Sequence, residues 1–363
     1  MSNEIDTTHG LKVLEIDDLR ARVAGEVAST ISGHAVFMND LNPELSILTK
    51  SLGEMMAGGK RLRPAFAYWG FRAAGGQDSK EILKAATALE FLQACALIHD
   101  DVMDESDTRR GKPSSHRQFE ALHNQNGWLG DSKQFGIGGA ILLGDLCLSW
   151  ADELLMKSGF ESDRLTAAKN LYDLMRTELL AGQYLDLLEQ AKSNASIENI
   201  LQVITYKSAK YTIERPLHMG ALLAGADSNT IKTLSDYGLP LGVAFQLRDD
   251  ILGVFGDEKV TGKPAGDDLR EGKRTVLVAT ALSKTSGSAN ELLKNSLGDK
   301  GLSAETIADL QEILTKSGAV DEVELMIEKN RTTALQAIKA DCISEEAQFV
   351  LANLAVAATE RAF

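Results

Sequence analysis

The stretch LIHDDVMDESDTRRGKP crowds five acidic side chains into the eight positions from Asp100 to Asp107. Like charges one helical turn apart repel one another, so a helix gains nothing from this crowding by itself. Residues four and seven positions apart lie on one face of a helix, which groups Asp100 with Asp104 and could include Asp107. The spacing indicates a cation site, and a solvated acidic helix end is the alternative.

A second aspartate pair favours the cation site. Asp249 and Asp250 lie within AFQLRDDILGVF, and the first pair follows the apolar run ACALIH. Adjacent carboxylates at the edge of a core are costly unless a cation compensates their charge. Two helices that carry such pairs could face each other across a cavity. All-oxygen ligands with open positions suit Mg²⁺ bound to the phosphates of a substrate.

Basic residues accompany both acidic clusters. They are Lys60, Arg61 and Arg63 in GGKRLRP, Arg109 and Arg110 after the first cluster, and Lys207, Lys263 and Lys273 later in the chain. Arginine forks match phosphate oxygens, and lysine supplies a compact charge. GGKRLRP lacks the spacing of a nucleotide-binding P-loop, and solvated surface charge is the alternative for any single lysine. With an apolar helical interior, these residues predict chemistry on an apolar diphosphate.

The elements that must position these residues are helical. Apolar residues recur at spacings of three and four through most of the chain, and strand-like alternation is nearly absent. We predict an all-α protein, a large single-domain helical bundle over residues 16–363 with a central apolar cavity, preceded by a flexible arm over residues 1–15. Residues 123–139 are predicted to form a long connection, and residues 256–275 a mobile glycine-rich loop.

Composition excludes several other classes of protein. The 363 residues carry a formal net charge of -14 without a long basic tract, which argues against a nucleic-acid partner. The three cysteines are far apart, which argues against a zinc site or a disulfide framework. The polar first residues do not resemble a signal peptide, and no uninterrupted apolar run reaches the roughly 18 residues of a membrane span. A cytoplasmic protein without stable membrane insertion is expected.

The motifs resemble those of the trans-isoprenyl diphosphate synthases, the polyprenyl synthetase family, and among them the geranylgeranyl diphosphate synthases. LIHDDVMDESDTRRGKPSSH is similar to the first aspartate-rich motif, FQLRDDILG to the second and GGKRLRP to the upstream basic motif, in the same order. The resemblance implies the isoprenoid synthase helical fold and a homodimer. It also implies head-to-tail condensation of isopentenyl diphosphate with dimethylallyl, geranyl or farnesyl diphosphate.

The resemblance implies a role for each matching residue. Three Mg²⁺ ions are expected, with Asp100 and Asp104 as ligands of two, Asp249 as a ligand of the third, and Asp101 and Asp250 in support. The allylic diphosphate would be bound by Arg109, Lys207, Lys263 and Lys273, and isopentenyl diphosphate by Lys60, Arg63 and Arg110, with Gln93 where many relatives carry histidine. Ser208 stands where threonine is usual, and Gln246, which with Lys207 is assigned a catalytic role, would lie near the reacting carbons.

The chain departs from the family pattern at Gly253, where the second motif usually has a third aspartate. We interpret Gly253 as a harmless helix glycine, because the first motif is intact. The leaving diphosphate would be the base that removes the final proton, since the sequence offers no obvious histidine or glutamate for that step. His99 is interpreted as a packed or hydrogen-bonding histidine.

Product length is predicted from the residues that precede Asp100. In the family, aromatic residues four and five positions earlier stop growth at a farnesyl-sized product, but Ala96 and Cys95 are small. We therefore expect a C20 product, geranylgeranyl diphosphate, or a longer chain. The candidate floor residues lie one to two turns deeper and are Leu92, Phe91 and Leu89.

Three other functions are alternatives to a prenyl diphosphate synthase. A terpene cyclase shares the fold but normally replaces the second Asp-Asp pair with an Asn/Ser/Glu motif. A phosphohydrolase of the His-Asp type could use His99 and Asp100 but needs further histidines nearby. A non-catalytic synthase subunit usually loses aspartates of the first motif, which this chain keeps.

Overall fold

The structure of the protein is a computed structural model that describes residues 7–192, 196–257 and 265–360, with side chains from residue 18. The all-α prediction is confirmed, because the only strands among these residues are two residues long. Helix α1 begins at Thr7, so the predicted N-terminal arm is helical from that residue onward. Residues 1–6 of the arm lie outside the described part.

The chain divides into two compact units. The first unit contains Met1–Lys169 and Met219–Gly225, and the second contains Asn170–His218 and Ala226–Phe363. The single-domain bundle with a central cavity stays a prediction.

The elements before the unit boundary surround helix α4. In chain order they are α1 (Thr7–Leu41), a 3₁₀ turn (Pro43–Leu45), α2 (Ser46–Met56), α3 (Leu62–Ala73), α4 (Lys80–Met103), β1 (Thr108–Arg109), β2 (Lys112–Pro113), α5 (Ser115–Asn126) and α6 (Ser132–Met156). Helix α4 packs against α1, α3 and α6. Gly144 of α6 faces the His99 ring, so the two helices approach closely there.

The elements that follow are helices of varied length. They are α7 (Ser162–Ala191), α8 (Ile197–Val203), a π-helical segment (Ile204–Glu214), α9 (Arg215–Ala224), α10 (Ser228–Phe255), α11 (Asp267–Glu271), α12 (Val276–Lys284), α13 (Gly287–Ser296), α14 (Ala304–Lys316), α15 (Ala319–Ala337) and α16 (Glu345–Thr359). Helix α10 is central in the second unit, where it packs against the π-helical segment and α15. A Cβ on Gly242 would lie 2.9 Å from the carbonyl oxygen of Ala209, so glycine allows this close packing.

Side-chain caps explain where the two central helices begin. The Ser79 hydroxyl accepts a hydrogen bond from the amide of Ile82 at the start of α4. The Asp227 carboxylate accepts one from the amide of Thr230, at 2.8 Å, at the start of α10. Such caps satisfy amides that have no partner within the helix.

Two predicted connections differ from the structure. The connection predicted over residues 123–139 is only 127–131, because Gly127 in the left-handed conformation ends α5 and Asp131 caps α6. The loop predicted over residues 256–275 contains the short helix α11. Residues 258–264 of that loop lie outside the described part of the chain.

Helices α4 and α6 are long and apolar enough to cross a membrane by length and composition alone. The apolar window of α4 is 67% buried, and that of α6 is 39% buried. Core helices of proteins without membrane spans meet the same criterion. Helix α4 is the core helix of its unit, whereas α6 also presents apolar side chains on its surface.

Candidate active site

Helix α4 presents a half-buried face that carries Asp100 and Asp104. The amide of Asp104 donates to the carbonyl of Asp100 at 2.8 Å, which keeps the helical geometry between the two carboxylates. Gln93 and Ala96 lie on the same face and are also half-buried, while most other residues of α4 are buried. A stripe of this kind on a core helix suits residues that line a binding site.

Asp107 does not belong to this face, contrary to the expectation that it could. Helix α4 ends at Met103, and Glu105 adopts a left-handed conformation with a φ of 54°, so the chain turns before Asp107. The Asp107 carboxylate instead accepts a 2.7 Å hydrogen bond from Arg117. Its side chain is 73% exposed.

A tight hairpin places the paired arginines after the aspartates. Strand β1 pairs with β2 so that Arg109 faces Lys112, and the turn residues Arg110 and Gly111 have φ values of 55° and 71°. Positive φ at both positions is typical of a type I′ hairpin. The Nε of Arg109 donates to Asp101 Oδ1 at 2.9 Å, and its terminal nitrogen lies 3.7 Å from Asp100 Oδ2. Buried Asp101 therefore orients Arg109 towards the face of Asp100 and Asp104.

The basic motif GGKRLRP is anchored to helix α4 by its middle arginine, Arg61. Arg61 is buried, with a left-handed φ of 53°, and forms an ion pair with buried Glu90 of α4. Lys60 on one side of it is exposed, and Arg63 on the other is half-buried. Arg61 therefore fixes the loop, and the side chains of Lys60 and Arg63 remain accessible to an anion.

Arg110 ties the hairpin to the basic motif. Its guanidinium donates to the carbonyls of Met55, at 3.2 Å, and Gly58, at 3.3 Å. Burial of the guanidinium lowers the pKa of Arg110. The charge of Glu90 opposes this shift, and the positive charges of neighbouring arginines add to it. These neighbours are Arg61, Arg109 and Arg63. Like charges held together in this way favour binding of an anion that neutralises them.

The second unit holds Lys207 in the π-helical segment. Its ammonium donates to Asp186 of α7 at 2.6 Å, and adjacent Ser208 is buried. A Cβ on Gly182 would lie 3.0 Å from the Cα of Lys207, so α7 can approach this segment because residue 182 is glycine. π-Helical turns are frequent at functional sites.

Helix α10 also presents a half-buried face, on which Gln246, Asp249 and Gly253 are spaced three and four residues apart. Asp250 points into the core, and its carboxylate accepts a 2.8 Å hydrogen bond from Gln246. The pKa of Asp250 is raised to about 8, by burial first and then by the charges of Asp268 and Asp249, while the hydrogen bond from Gln246 and the charge of Lys273 oppose the shift. Asp249, not Asp250, is therefore the accessible carboxylate of this pair.

Lys273 is the last predicted phosphate-binding residue that the structure describes. Its ammonium lies 3.1 Å from Asp268 Oδ1 and 2.6 Å from Glu271 Oε2. Lys263 lies outside the described residues. Asp268 also approaches Gly253, so the interpretation of that glycine as harmless omits a close contact.

Five residues of α4 enter the prediction of product length, and they lie on different sides of the helix. They are the small residues Ala96 and Cys95 and the candidate floor residues Leu92, Phe91 and Leu89. The Phe91 ring packs edge-to-face on Trp150 of α6, and the Cys95 sulfur lies 3.7 Å from His99 Nδ1. Leu92 and Leu89 are buried. Ala96 alone among the five lies half-buried on the face of Asp100. His99 Nε2 lies 3.0 Å from the Ile141 carbonyl, as expected of a packed histidine.

The carboxylates fit the donor chemistry of Mg²⁺. No group of three His, Cys, Asp or Glu side chains within residues 7–192, 196–257 and 265–360 converges closely enough to hold an ion by itself. Asp100 and Asp104 nevertheless form an all-oxygen pair on one half-buried face, and hard oxygen ligands with room for phosphate are what Mg²⁺ prefers.

Sequence reasoning missed three acidic residues that hold the predicted cations. They are Glu90 beneath the basic motif, Asp186 beside Lys207 and Asp268 beside Lys273. Glu90 and Asp186 are each an isolated acid within an apolar helical run, and an isolated acid of that kind needs a partner. That pattern could have singled them out, although it could not name the partner.

Comparison with known proteins agrees with this geometry. A profile of the polyprenyl synthetase family matches residues 45–314. The geranylgeranyl diphosphate synthase of Sulfolobus acidocaldarius is 33% identical over 262 residues, which cover 72% of this chain and 74% of that protein. The geranylfarnesyl diphosphate synthase of Aeropyrum pernix is 33% identical over 278 residues, covering 76% and 81% respectively.

A solved structure extends the similarity to nearly the whole chain. The crystal structure of a geranylgeranyl pyrophosphate synthase from Corynebacterium glutamicum, complexed with isoprenyl diphosphate and magnesium, superposes with a TM-score of 0.92 at 41% identity. The match covers 96% of this chain and 99% of that one. The chain belongs to the polyprenyl synthetase family, and it is a prenyltransferase of the trans-isoprenyl diphosphate synthase type.

Proposed function

We propose that the protein is a geranylgeranyl diphosphate synthase that extends dimethylallyl, geranyl or farnesyl diphosphate with isopentenyl diphosphate. The observation that carries the proposal is the face of helix α4, where Asp100 and Asp104 follow small Ala96 without an intervening aromatic side chain. An intact aspartate pair supports catalysis, and a small residue one turn deeper leaves room for a tail longer than C15.

Each accessible cation has a role in this proposal. Arg109, aimed by Asp101, binds the allylic diphosphate, together with Lys207 and Lys273. Lys60, Arg63 and Arg110 bind isopentenyl diphosphate, with Gln93 beside them. Their charges stabilise the negative charge that develops as the allylic carbon–oxygen bond breaks. Bound Mg²⁺ would act as a Lewis acid on the same leaving group.

The charged residues of the chain fit a reaction in three steps, which are ionisation, condensation and loss of a proton. Positive charge on the arginines favours departure of diphosphate, which leaves an allylic cation. The double bond of isopentenyl diphosphate attacks this cation and forms the new carbon–carbon bond. The resulting tertiary cation loses a proton to the departed diphosphate, which restores a double bond. Asp100, Asp104 and Asp249 are assigned to three Mg²⁺ ions, with Asp250 in support. Gln246 is assigned to the neighbourhood of the reacting carbons, and Ser208 keeps the hydroxyl that a threonine usually supplies.

A homodimer is part of the proposal, and the surface of helix α6 supports it. Leu142 is 62% exposed there, and the neighbouring Ile141 and Phe135 are also exposed, as are Trp128 and Leu129 just before the helix. Contiguous exposed apolar residues mark interaction surfaces. Light scattering of the purified protein is expected to give twice the mass of the chain, and Leu142→Lys is expected to shift it towards one chain.

The test of the proposed function is direct. Purified protein is incubated with Mg²⁺, radiolabelled isopentenyl diphosphate and each of the three allylic diphosphates, and the products are dephosphorylated and sized. A main product of C20 is the expected result. Products of C25 or longer would favour the alternative that the protein is a longer-chain polyprenyl diphosphate synthase. The similarity to a geranylfarnesyl diphosphate synthase supports testing that alternative. No elongation from any primer would overturn the proposal.

A further inference from the structure

Two cations from neighbouring elements of the second unit meet on one carboxylate of helix α7. Glu178 accepts a 2.9 Å hydrogen bond from the Lys210 ammonium of the π-helical segment. The Arg215 guanidinium, at the start of α9, donates to both oxygens of the same carboxylate at 2.8 Å. Burial raises the pKa of Glu178, but the hydrogen bonds from Arg215 and Lys210 outweigh that effect, and the pKa lies below its ordinary value. The carboxylate therefore stays charged between the two cations.

The spacing of the two cations fits a π-helix and not an α-helix. Lys210 and Arg215 are five positions apart, and on an α-helix such residues point about 140° away from each other. A π-helix closes its hydrogen bonds between residues i and i+5, so residues five apart lie nearly one above the other. The amide of Arg215 donates to the carbonyl of Lys210, which is a hydrogen bond of this kind. A single carboxylate can therefore hold both side chains because the chain between them is π-helical.

Helix α7 contacts the π-helical segment at more than one point. Glu178, Gly182 and Asp186 are spaced by four residues, which places them on one face of α7. Glu178 contacts the C-terminal end of the segment, and Asp186 accepts a 2.6 Å hydrogen bond from Lys207 nearer its start. Between these two acids, glycine at position 182 lets the backbone of Lys207 approach α7. One face of α7 is therefore complementary to the π-helical form of its neighbour.

The π-helical register determines where Lys207 points. π-Helical turns are rare, and an uncommon backbone conformation persists where tertiary contacts hold it. If the turn that ends at Arg215 adopted α-helical geometry, the residues before it would rotate about the helix axis relative to α9. Lys207 belongs to the same segment, so this rotation would turn its ammonium away from the face of α7 that now orients it.

We propose that Glu178 is a positioning residue that fixes the π-helical register of the segment and thereby orients Lys207 towards the allylic diphosphate. The inference rests on the proposed role of Lys207 as a ligand of that diphosphate. Glu178 acts through the two cations that it binds, and it is assigned no contact with the substrate. Its carboxylate supplies the tertiary contact that the π-helical turn needs.

The first experiment compares the two substrates. Glu178→Gln keeps the shape of the side chain but removes the charge that holds Lys210 and Arg215. KM for farnesyl diphosphate should rise roughly tenfold, because even a small misplacement of a binding group is costly. KM for isopentenyl diphosphate, which is assigned to residues of the first unit, should stay within about twofold of the wild type. An equal rise in both KM values would indicate a general loss of structure and would overturn the inference.

A double-mutant cycle tests whether Glu178 acts through Lys207. The affinity for the Mg²⁺ complex of inorganic diphosphate is measured by calorimetry in the wild type, Glu178→Gln, Lys207→Met and the double variant. Glu178→Gln alone should weaken this affinity roughly tenfold. In the Lys207→Met background the same change should weaken it less than about twofold, because the group to be oriented is gone. Equal effects in the two backgrounds would contradict the inference.

Two further variants separate positioning from folding. Lys210→Met removes one of the two cations and should weaken diphosphate affinity roughly threefold, and it replaces Glu178→Gln in the cycle if that variant does not fold. Glu324→Gln is the matched control, since Glu324 accepts hydrogen bonds from both terminal nitrogens of Arg248, at 2.6 and 2.7 Å. Arg248 also donates to the carbonyl of Thr359, which keeps it in place. Glu324→Gln should lower the melting temperature and leave diphosphate affinity unchanged.

The remaining outcomes distinguish this inference from the proposed function. Wild-type diphosphate affinity in the folded variants of Glu178 and Lys210, or an equal loss of affinity in Glu324→Gln, would overturn the inference. A wild type that binds no diphosphate would overturn it as well. A wild type that binds diphosphate and shows the expected cycle, but transfers no prenyl group, would instead defeat the proposed function and leave the role of Glu178 supported.

Discussion

The two aspartate regions contain similar residues but are assembled differently. In the first, Asp100, Asp101 and Asp104 share one helix end with a hairpin that returns Arg109 to Asp101 within eight residues. In the second, Lys207 depends on Asp186 of another helix, twenty-one residues earlier, and Lys273 depends on Asp268 and Glu271 of the short helix before it. Arginine, whose planar fork contacts two groups at once, suits the compact arrangement, while lysine as a point charge needs surrounding acids to fix it.

The largest expected effects test whether both regions serve one reaction. Asp100→Asn and Asp249→Asn each remove a carboxylate charge that we propose to bind Mg²⁺, while keeping the shape of the side chain. Loss of a metal's Lewis-acid contribution, worth several kcal/mol, should lower kcat about a thousandfold or more in each variant. Steady-state assays with farnesyl diphosphate would measure this.

Asp107→Asn is the matched control for this pair. Asp107 belongs to the same acidic stretch, but it lies beyond the helix and pairs with Arg117 at the surface. Its kcat should stay within about twofold of the wild type, since exposed ion pairs contribute little. A strong loss in Asp107→Asn, or a mild one in Asp249→Asn, would break the comparison between the two regions.

The next prediction concerns the free energy of unfolding when the Arg61–Glu90 or the Asp186–Lys207 ion pair is broken. Arg61→Met leaves Glu90 buried without its partner, and breaking a buried pair of this kind costs about 3–5 kcal/mol. Asp186→Asn leaves Lys207, whose side chain is 25% exposed, with partial access to water. We expect it to lower the free energy of unfolding by only about 1 kcal/mol. Urea unfolding would rank the two, and the reverse order would contradict the contrast between the units.

The same comparison explains which parts of the structure could be predicted from the sequence. Periodicity predicted the helices, and the spacing of Asp100 and Asp104 predicted a shared face, because both are local properties of one helix. Asp268 approaches Gly253 from fifteen residues away, across a short helix bounded by two left-handed glycines. Nothing in the local pattern of DDILG indicates that a carboxylate from another helix lies against its glycine. Contacts of this kind depend on tertiary packing.

The pH dependence of stability should also differ between the units. The pKa of His218 in the second unit is lowered to about 4, by burial first and then by the charges of Arg215 and Lys210. The interaction with Ile231 and the charge of Glu178 act in the opposite direction. The folded state therefore keeps the imidazole neutral, while the unfolded chain protonates it near pH 6.5.

This linkage gives the sign of the effect. Stability that is present above pH 6.5 is lost as the pH falls towards 4, by about 2 kcal/mol at pH 5. His218→Gln lacks the titrating group and should show a flatter loss between pH 7.5 and pH 5 in urea unfolding. In the first unit burial and the charge of Arg117 also lower the pKa of His116, but the charges of Asp107, Glu120 and Glu105 oppose that shift. His116→Gln should therefore change the slope less, and an equal change would contradict the contrast.

The smallest effect distinguishes two faces of helix α4. Ala96 lies on the face of Asp100, so Ala96→Phe should place a ring in the path of the growing tail and shift the main product from C20 towards C15. Cys95 contacts His99, and Phe91 contacts Trp150, both on the side of α6. Cys95→Phe should therefore overpack the contact with α6, at a cost of about 1–3 kcal/mol in stability, and leave product length nearly unchanged. Product sizing and melting temperatures of both variants would test this. A shorter product from Cys95→Phe with an unchanged melting temperature would mean that the tail runs along the α6 side of the helix instead.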